Sequence, residues 1–124
     1  MSSNYKASYV PTELKEFDQR KTRAQSLIKK FPDRVPIIIR PSKGTHTDIA
    51  KFLVPHTMTI ANVIQVLRDK VKLSPANSIY ISVDKQFILS GSQTVGEVYN
   101  SHKDKDEFLY MIYCEESVFG GGTK

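Results

Sequence analysis

Thr59-Ile60-Ala61-Asn62-Val63-Ile64-Gln65-Val66-Leu67-Arg68-Asp69-Lys70-Val71 is the clearest helical pattern in the chain. Ile60, Val63, Ile64, Leu67 and Val71 recur at the i, i+3, i+4, i+7 spacing, with Asn62, Gln65, Arg68 and Asp69 largely on the other side. Thr59 stands where an N-cap is wanted, and Ser74-Pro75 breaks the pattern. A helix with one apolar stripe has one surface to bury. Upstream, Val35 to Ile39 reads as a strand that is apolar on both faces. Pro41-Ser42-Lys43-Gly44-Thr45 reads as a turn, and Phe52-Leu53-Val54 as a returning strand. Downstream, Ile79, Ile81 and Val83 alternate as a half-buried strand, and Phe87-Ile88-Leu89 suggests a short one. Thr94 to Ser101 suggests one or two helical turns, and Phe108 to Cys114 is a last strand, again apolar on both faces.

Before all of these, Thr12 can cap a further helix in which Leu14, Phe17, Ala24, Leu27, Ile28 and Phe31 fall near helical spacing, ended by Pro32-Asp33. The order helix, then β-β-α-β-β-(short α)-β, predicts an α+β fold: a ubiquitin-like β-grasp. A strand apolar on both faces is central and covered on both sides. Helix 59–71 covers one face of the sheet, so the N-terminal helix, through Leu14, Phe17, Ala24 and Leu27, is expected on the other. The chain thus divides into an N-terminal helical extension over 1–31, a β-grasp core over 32–119 and a C-terminal tail over 120–124.

With 124 residues, 40% hydrophobic and 25% charged, the composition is that of one globular domain. No apolar run approaches the roughly 20 residues of a membrane-spanning helix. The polar start Met1-Ser2-Ser3-Asn4 does not read as a signal peptide, and the single Cys114 excludes an internal disulfide, which together point to the cytosol. Residues 1–40 hold nine basic against four acidic side chains, a surplus equal to the +5 net charge of the whole chain. The positive excess is therefore N-terminal, where it can attract acidic proteins, anionic lipid or nucleic acid. His46, His56 and His102 lack the spacing of metal ligands, and Cys114, placed in a strand, reads as a packing residue. No glycine-rich turn opens a helix. The residues indicate neither an enzyme nor a cofactor.

The chain ends Phe119-Gly120-Gly121-Gly122-Thr123-Lys124. A run without Cβ atoms is thin enough to thread extended into a narrow cleft. With Asp33-Arg34-Val35-Pro36-Ile37-Ile38, Lys51-Phe52-Leu53-Val54-Pro55, Leu73-Ser74-Pro75, His102 to Tyr110 and Glu116-Ser117-Val118-Phe119-Gly120, the chain resembles the autophagy-related ubiquitin-like modifiers of the GABARAP and microtubule-associated light chain type. The resemblance implies cleavage by a cysteine protease after Gly120, with Phe119 as recognition anchor. It then implies transfer by activating and conjugating enzymes to phosphatidylethanolamine. The product is a cytoplasmic protein that becomes a membrane-anchored adaptor on autophagosomes. Gly121 and Gly122 follow the scissile glycine and leave room for the cut to slide.

Lys51 to Pro55 reads as an edge strand to which an extended peptide can add. The family pattern implies two flanking pockets for aromatic-x-x-aliphatic motifs of cargo receptors and adaptors. One is lined by Leu27, Pro36, Ile38, Lys51, Leu53 and Phe108. The other is lined by Phe52, Val54, Pro55, Met58, Val63 and Val66, with Arg34 and Lys70 facing acidic residues of the partner. Arg23 stands where relatives usually carry an acid, and Ile49 where many carry a lysine; both bear on the groove's charge preference. The resemblance also admits a contact with microtubules. The rival reading is a basic nucleic-acid or cytoskeleton-binding module built on the N-terminal helix, with Tyr5 and Tyr9 among its cations. It leaves the glycine tail without a role, and no RNA-binding signature supports it.

Overall fold

The computed structural model describes residues 16–42, 49–71, 75–84 and 87–117. Helix α1 spans Phe17–Lys30, β1 Arg34–Pro41, β2 Ala50–Pro55, α2 Ile60–Val71, β3 Asn77–Val83, β4 Phe87–Ile88, α3 Val95–His102 and β5 Leu109–Ser117. The strands form one five-stranded sheet in the order β2-β1-β5-β3-β4. Strand β1 is antiparallel to β2, with Ile37 opposite Phe52, and parallel to β5, with Ile37 opposite Leu109. Strand β3 is antiparallel to both β5 and β4. This is the α+β ubiquitin-like β-grasp expected from the element order.

Both doubly apolar strands lie at the centre of the sheet, as their composition demands. Val35, Ile37 and Ile39 of β1 and Leu109, Met111 and Tyr113 of β5 pack with Ile60, Val63 and Leu67 of α2 in the main core. The intervening residues point to the opposite face. There Ile38 and Phe108 pack with Ala24 of α1, and Leu27, Ile49 and Tyr110 close around them. Helix α2 starts where Thr59 Oγ1 accepts the Asn62 N–H at 3.2 Å. Helix α3 starts with a full capping box, Thr94 with Glu97. Gly96 lies against the β2–α2 turn, where an added Cβ would come within 3.0 Å of both Cβ and O of His56. Pro36 in a central strand costs no ladder bond: the β1–β5 register begins at Ile37, after it.

The N-terminal cover differs in detail from the expectation. Glu16 is extended (φ −69°, ψ 158°), so α1 begins at Phe17. Thr12 and Leu14 lie outside the described residues. Phe17 is 39% exposed, and its ring meets the Arg20 guanidinium at 5.8 Å. Ala24, fully buried, makes the close contact, because only a small side chain lets the helix approach the strands this nearly.

A buried carboxylate fastens this cover. Asp106 is fully buried, and its oxygens accept from Arg20 Nε of α1 at 2.9 Å, from Tyr110 Oη of β5 at 2.5 Å and from Phe108 N–H at 2.9 Å. The loop around it is held by its own backbone. Asp104 N–H donates to the Phe108 carbonyl and Glu107 N–H to the Asp104 carbonyl, both at 2.9 Å. Glu107 adopts φ 72°, rare for a non-glycine residue. Its carbonyl accepts from Tyr99 Oη at 2.7 Å and its carboxylate from Gln25 Nε2 at 2.9 Å. The hydrogen bond to Asp106 raises the Arg20 pKa. Burial, then the charge of Glu107, pushes Tyr99 up to about 12; burial, then the hydrogen bond to Asp106, raises Tyr110.

Two predictions follow from this packing. Arg20→Ala, which leaves the Asp106 charge buried without its cation, should destabilise the fold by about 2–4 kcal/mol, whereas Phe17→Ala should cost under about 1; urea denaturation measures both. Tyrosines whose folded pKa exceeds the unfolded value contribute stability that is complete below pH ~10 and lost as pH rises above it. Stability should fall between pH ~10 and ~12, and Tyr99→Phe and Tyr110→Phe should each flatten that decline.

Candidate functional site

Strand β2 is one edge of the sheet, and the hydrogen-bond phase shows which of its groups face outward. Ser42 N–H donates to the Tyr113 carbonyl, so the even-numbered residues of β1 turn their amides to β5 and the odd-numbered ones to β2. Through the antiparallel register, Ala50, Phe52 and Val54 bond β1, while Lys51 and Leu53 present N–H and C=O away from the sheet. The Leu53 carbonyl accepts from Arg34 Nη1 at 3.3 Å. Pro55 ends the strand without a donor, and its carbonyl accepts the Met58 N–H at 3.0 Å. The edge is thus two residues long in usable groups, closed at one end by a proline and flanked by an arginine.

Side chains of β2 alternate between the two faces and so reach two separate apolar clusters. Lys51 and Leu53, paired with Ile38 and Pro36, lie on the α1 side, where Ile38 and Phe108 are buried and Leu27, Lys51 and Leu53 are partly exposed. Phe52 and Val54 lie on the α2 side. Phe52 and Met58 are partly exposed and pack against the main core there, Val54 is nearly covered, and Val63 is 1% exposed; Pro55, opposite Arg34, and Val66 of α2 are also partly exposed. Val63 therefore packs the core under that cluster. Lys70 is exposed on the last turn of α2, and Arg34 at the start of β1. Strand β2 runs between the two clusters, Lys51 and Leu53 on one side and Phe52 and Val54 on the other. Ile49 packs against the Ala24, Ile38 and Phe108 cluster.

The remaining candidates are ordinary. His102 Nδ1 is 3.2 Å from Asp84 Oδ2 and its ring is tilted against Phe87; His56 is exposed, and His46 lies outside the described residues. Among the described residues no cluster of three or more His, Cys, Asp or Glu could hold a metal. Cys114 is exposed, not packed: β5 runs on to Ser117, which carries Cys114 beyond the part of the sheet that α1 covers, and its Sγ meets Ser42 Oγ at 3.1 Å. Among the N-terminal cations, Arg20 turns inward to Asp106, while Arg23, Lys29 and Lys30 are exposed. No described helix is long and apolar enough to cross a membrane. Phe119 and Gly120 lie outside the described residues. The Arg34–Leu53 contact and the Asp106 hub escape a sequence reading, because both join residues distant in the chain through single side-chain bonds.

Comparison with known proteins gives a consistent match. The model of the family described as autophagy protein Atg8, ubiquitin like, matches residues 19–120. Autophagy-related protein 8 of Schizosaccharomyces pombe is 37% identical over 109 residues, which cover 84% of this chain and 88% of that protein. Autophagy-related protein 8e of Arabidopsis thaliana is 34% identical over 111 residues, covering 87% and 90%. The crystal structure of Trypanosoma brucei ATG8 aligns with a TM-score of 0.75 at 32% identity, covering 86% of this chain and 93% of that one.

Proposed function

The chain belongs to the Atg8 family of ubiquitin-like autophagy proteins, and on that premise we propose that it is a conjugated, non-catalytic adaptor that docks short peptides on the β2 edge. The observation that carries the docking half is that edge: outward amides at Lys51 and Leu53, with an apolar cluster on either side of the strand. An extended segment adds its backbone along this edge, and alternate side chains enter the two clusters. The aromatic residue goes to the cluster of Leu27, Pro36, Ile38, Lys51, Leu53 and Phe108. The aliphatic residue goes to that of Phe52, Val54, Pro55, Met58 and Val66, with Val63 supporting it from beneath. Arg34 and Lys70 meet acidic flanks. Two anchors at ~1.5–3 kcal/mol each, set against ordering costs, suggest roughly micromolar affinity. Weak, exchangeable binding suits an adaptor.

The conjugation half rests on the tail chemistry and on the family. In this reading residues 32–119 are the β-grasp core, 1–31 the N-terminal helical extension and 120–124 the processed tail. A cysteine protease anchored on Phe119 cuts after Gly120, whose missing side chain admits the carbonyl to a narrow cleft. The new carboxylate is activated as an adenylate, carried as enzyme thioesters and joined to the amine of phosphatidylethanolamine. Two acyl chains then suffice for stable anchoring where one is marginal. The lipidated protein sits on autophagosome membranes and gathers receptors there.

Each half has its own test. In calorimetry with an acidic aromatic-x-x-aliphatic peptide, Phe52→Ala and Leu53→Ala should each weaken binding severalfold, and Lys72→Ala should leave it unchanged; unchanged affinity in the Phe52/Leu53 double variant overturns the docking site. For the tail, the mass of the protease product should correspond to a chain ending at Gly120, and Gly120→Ala should block both cleavage and lipidation. A product ending at Gly122, or normal lipidation of the Ala variant, overturns that assignment.

A further inference from the structure

Arg34 stands first in β1, opposite Pro55, on the face of the sheet that also carries the Pro36 and Leu53 side chains. Its guanidinium crosses β2 to the outer side of that strand, where Nη1 donates to the Leu53 carbonyl at 3.3 Å. This carbonyl is one of the groups that β2 turns away from β1, and it is the acceptor that the amide of an added strand would take. The chain therefore occupies part of its own docking edge from within.

The contact is suited to exchange. Arg34 is exposed, its bond to Leu53 is long, and the acceptor is a neutral carbonyl, so other acceptors compete for the guanidinium. A carboxylate makes a stronger, charge-assisted partner and can engage the guanidinium fork in two bonds. The backbone of Arg34 is held independently of its side chain, since its N–H donates to the Phe31 carbonyl at 3.0 Å. The side chain can thus swing away while β1 stays in place. Arg20 is the opposite case: its guanidinium is fastened to the buried Asp106 at 2.9 Å.

Resting on the docking reading above, we propose that Arg34 is an autoinhibitory latch on the β2 edge. Its guanidinium holds the Leu53 carbonyl until an acidic side chain of the incoming peptide takes the cation over and releases the carbonyl to the peptide's backbone amide. Charge recognition and strand addition become one event. A peptide without an acid must break the Arg34–Leu53 bond uncompensated or leave its own amide unpaired. The same contact guards the edge against indiscriminate pairing.

Two synthetic peptides test the latch: Asp-Asp-Phe-Ser-Asp-Leu-Asp-Asp and its counterpart with serine at every aspartate. Each is titrated into the full chain as wild type, Arg34→Ala and Arg34→Met, with backbone amide shifts followed by NMR so that weak binding is measurable. Opening the latch should tighten the uncharged peptide about threefold in both variants and weaken the acidic one severalfold. An arginine that only attracts acids predicts no change for the uncharged peptide. So does a carbonyl that accepts from guanidinium and peptide amide together through its two lone pairs. An uncharged-peptide affinity that does not rise in both variants, whether unchanged, lowered or undetectable throughout, overturns the latch. A rise in Arg34→Met alone reports added apolar contact and overturns it too. In those cases wild-type binding of the acidic peptide, lost in the Phe52/Leu53 double variant, leaves the docking site standing. Failure of the acidic peptide to bind the wild type overturns the docking site and the latch together. Because Arg34 is exposed, both variants should melt at the wild-type temperature.

Discussion

The second face of the sheet depends on one buried carboxylate. Asp106 sits where the connection from α3 turns into β5, and its charge is tolerable only because three donors converge on it. Each donor comes from a place that matters. Arg20 belongs to the covering helix, Tyr110 to the central strand, and the Phe108 amide to the residue that packs on Ala24. Removing any of them leaves charge or polarity buried, which is costlier than losing an exposed ion pair. The consequence is a helix held over β1, with Leu27, Ile49 and Tyr110 partly exposed around the cluster beneath it.

That constraint explains why a ubiquitin-like sheet buries apolar residues on both faces here. The side covered by α2 is an ordinary core, closed by Val63 and Leu67. The side covered by α1 has a smaller cluster with a fully buried centre and partly exposed margins, Leu27 and Ile49. Strand β2 passes between the two clusters, and its alternation sends Leu53 to one and Phe52 to the other. An edge strand that would invite indiscriminate pairing is narrowed by Pro55 at one end and by the Arg34 bond to the Leu53 carbonyl. What remains is a short edge with chemically distinct neighbours on its two sides.

Charge placement adds a second layer. Of the basic surplus in the first forty residues, Arg20 is spent on the fold, and Arg34 on the edge of β2. Arg23 and Lys30 remain exposed on α1. Phe17, at the start of the helix, sets its ring against the Arg20 guanidinium.

Periodicity and composition alone determined the element order, the central place of Val35–Ile39 and Phe108–Cys114, and the need for a cover on each face, because a strand apolar on both sides has no other way to leave water. The Thr59 cap and the α2 stripe were equally legible, since capping and helical spacing are local in the chain. Tertiary structure decided what depends on distant partners: that Asp106 is buried and binds Arg20, 86 residues away, that Ala24 is fully buried against the sheet while Phe17 is partly exposed, that Cys114 is exposed, and that Val63 belongs to the core. A one-dimensional pattern records which residues avoid water. It does not record how closely two elements approach or which single side chain bridges them, and those distances decide which residues meet on each face of the sheet.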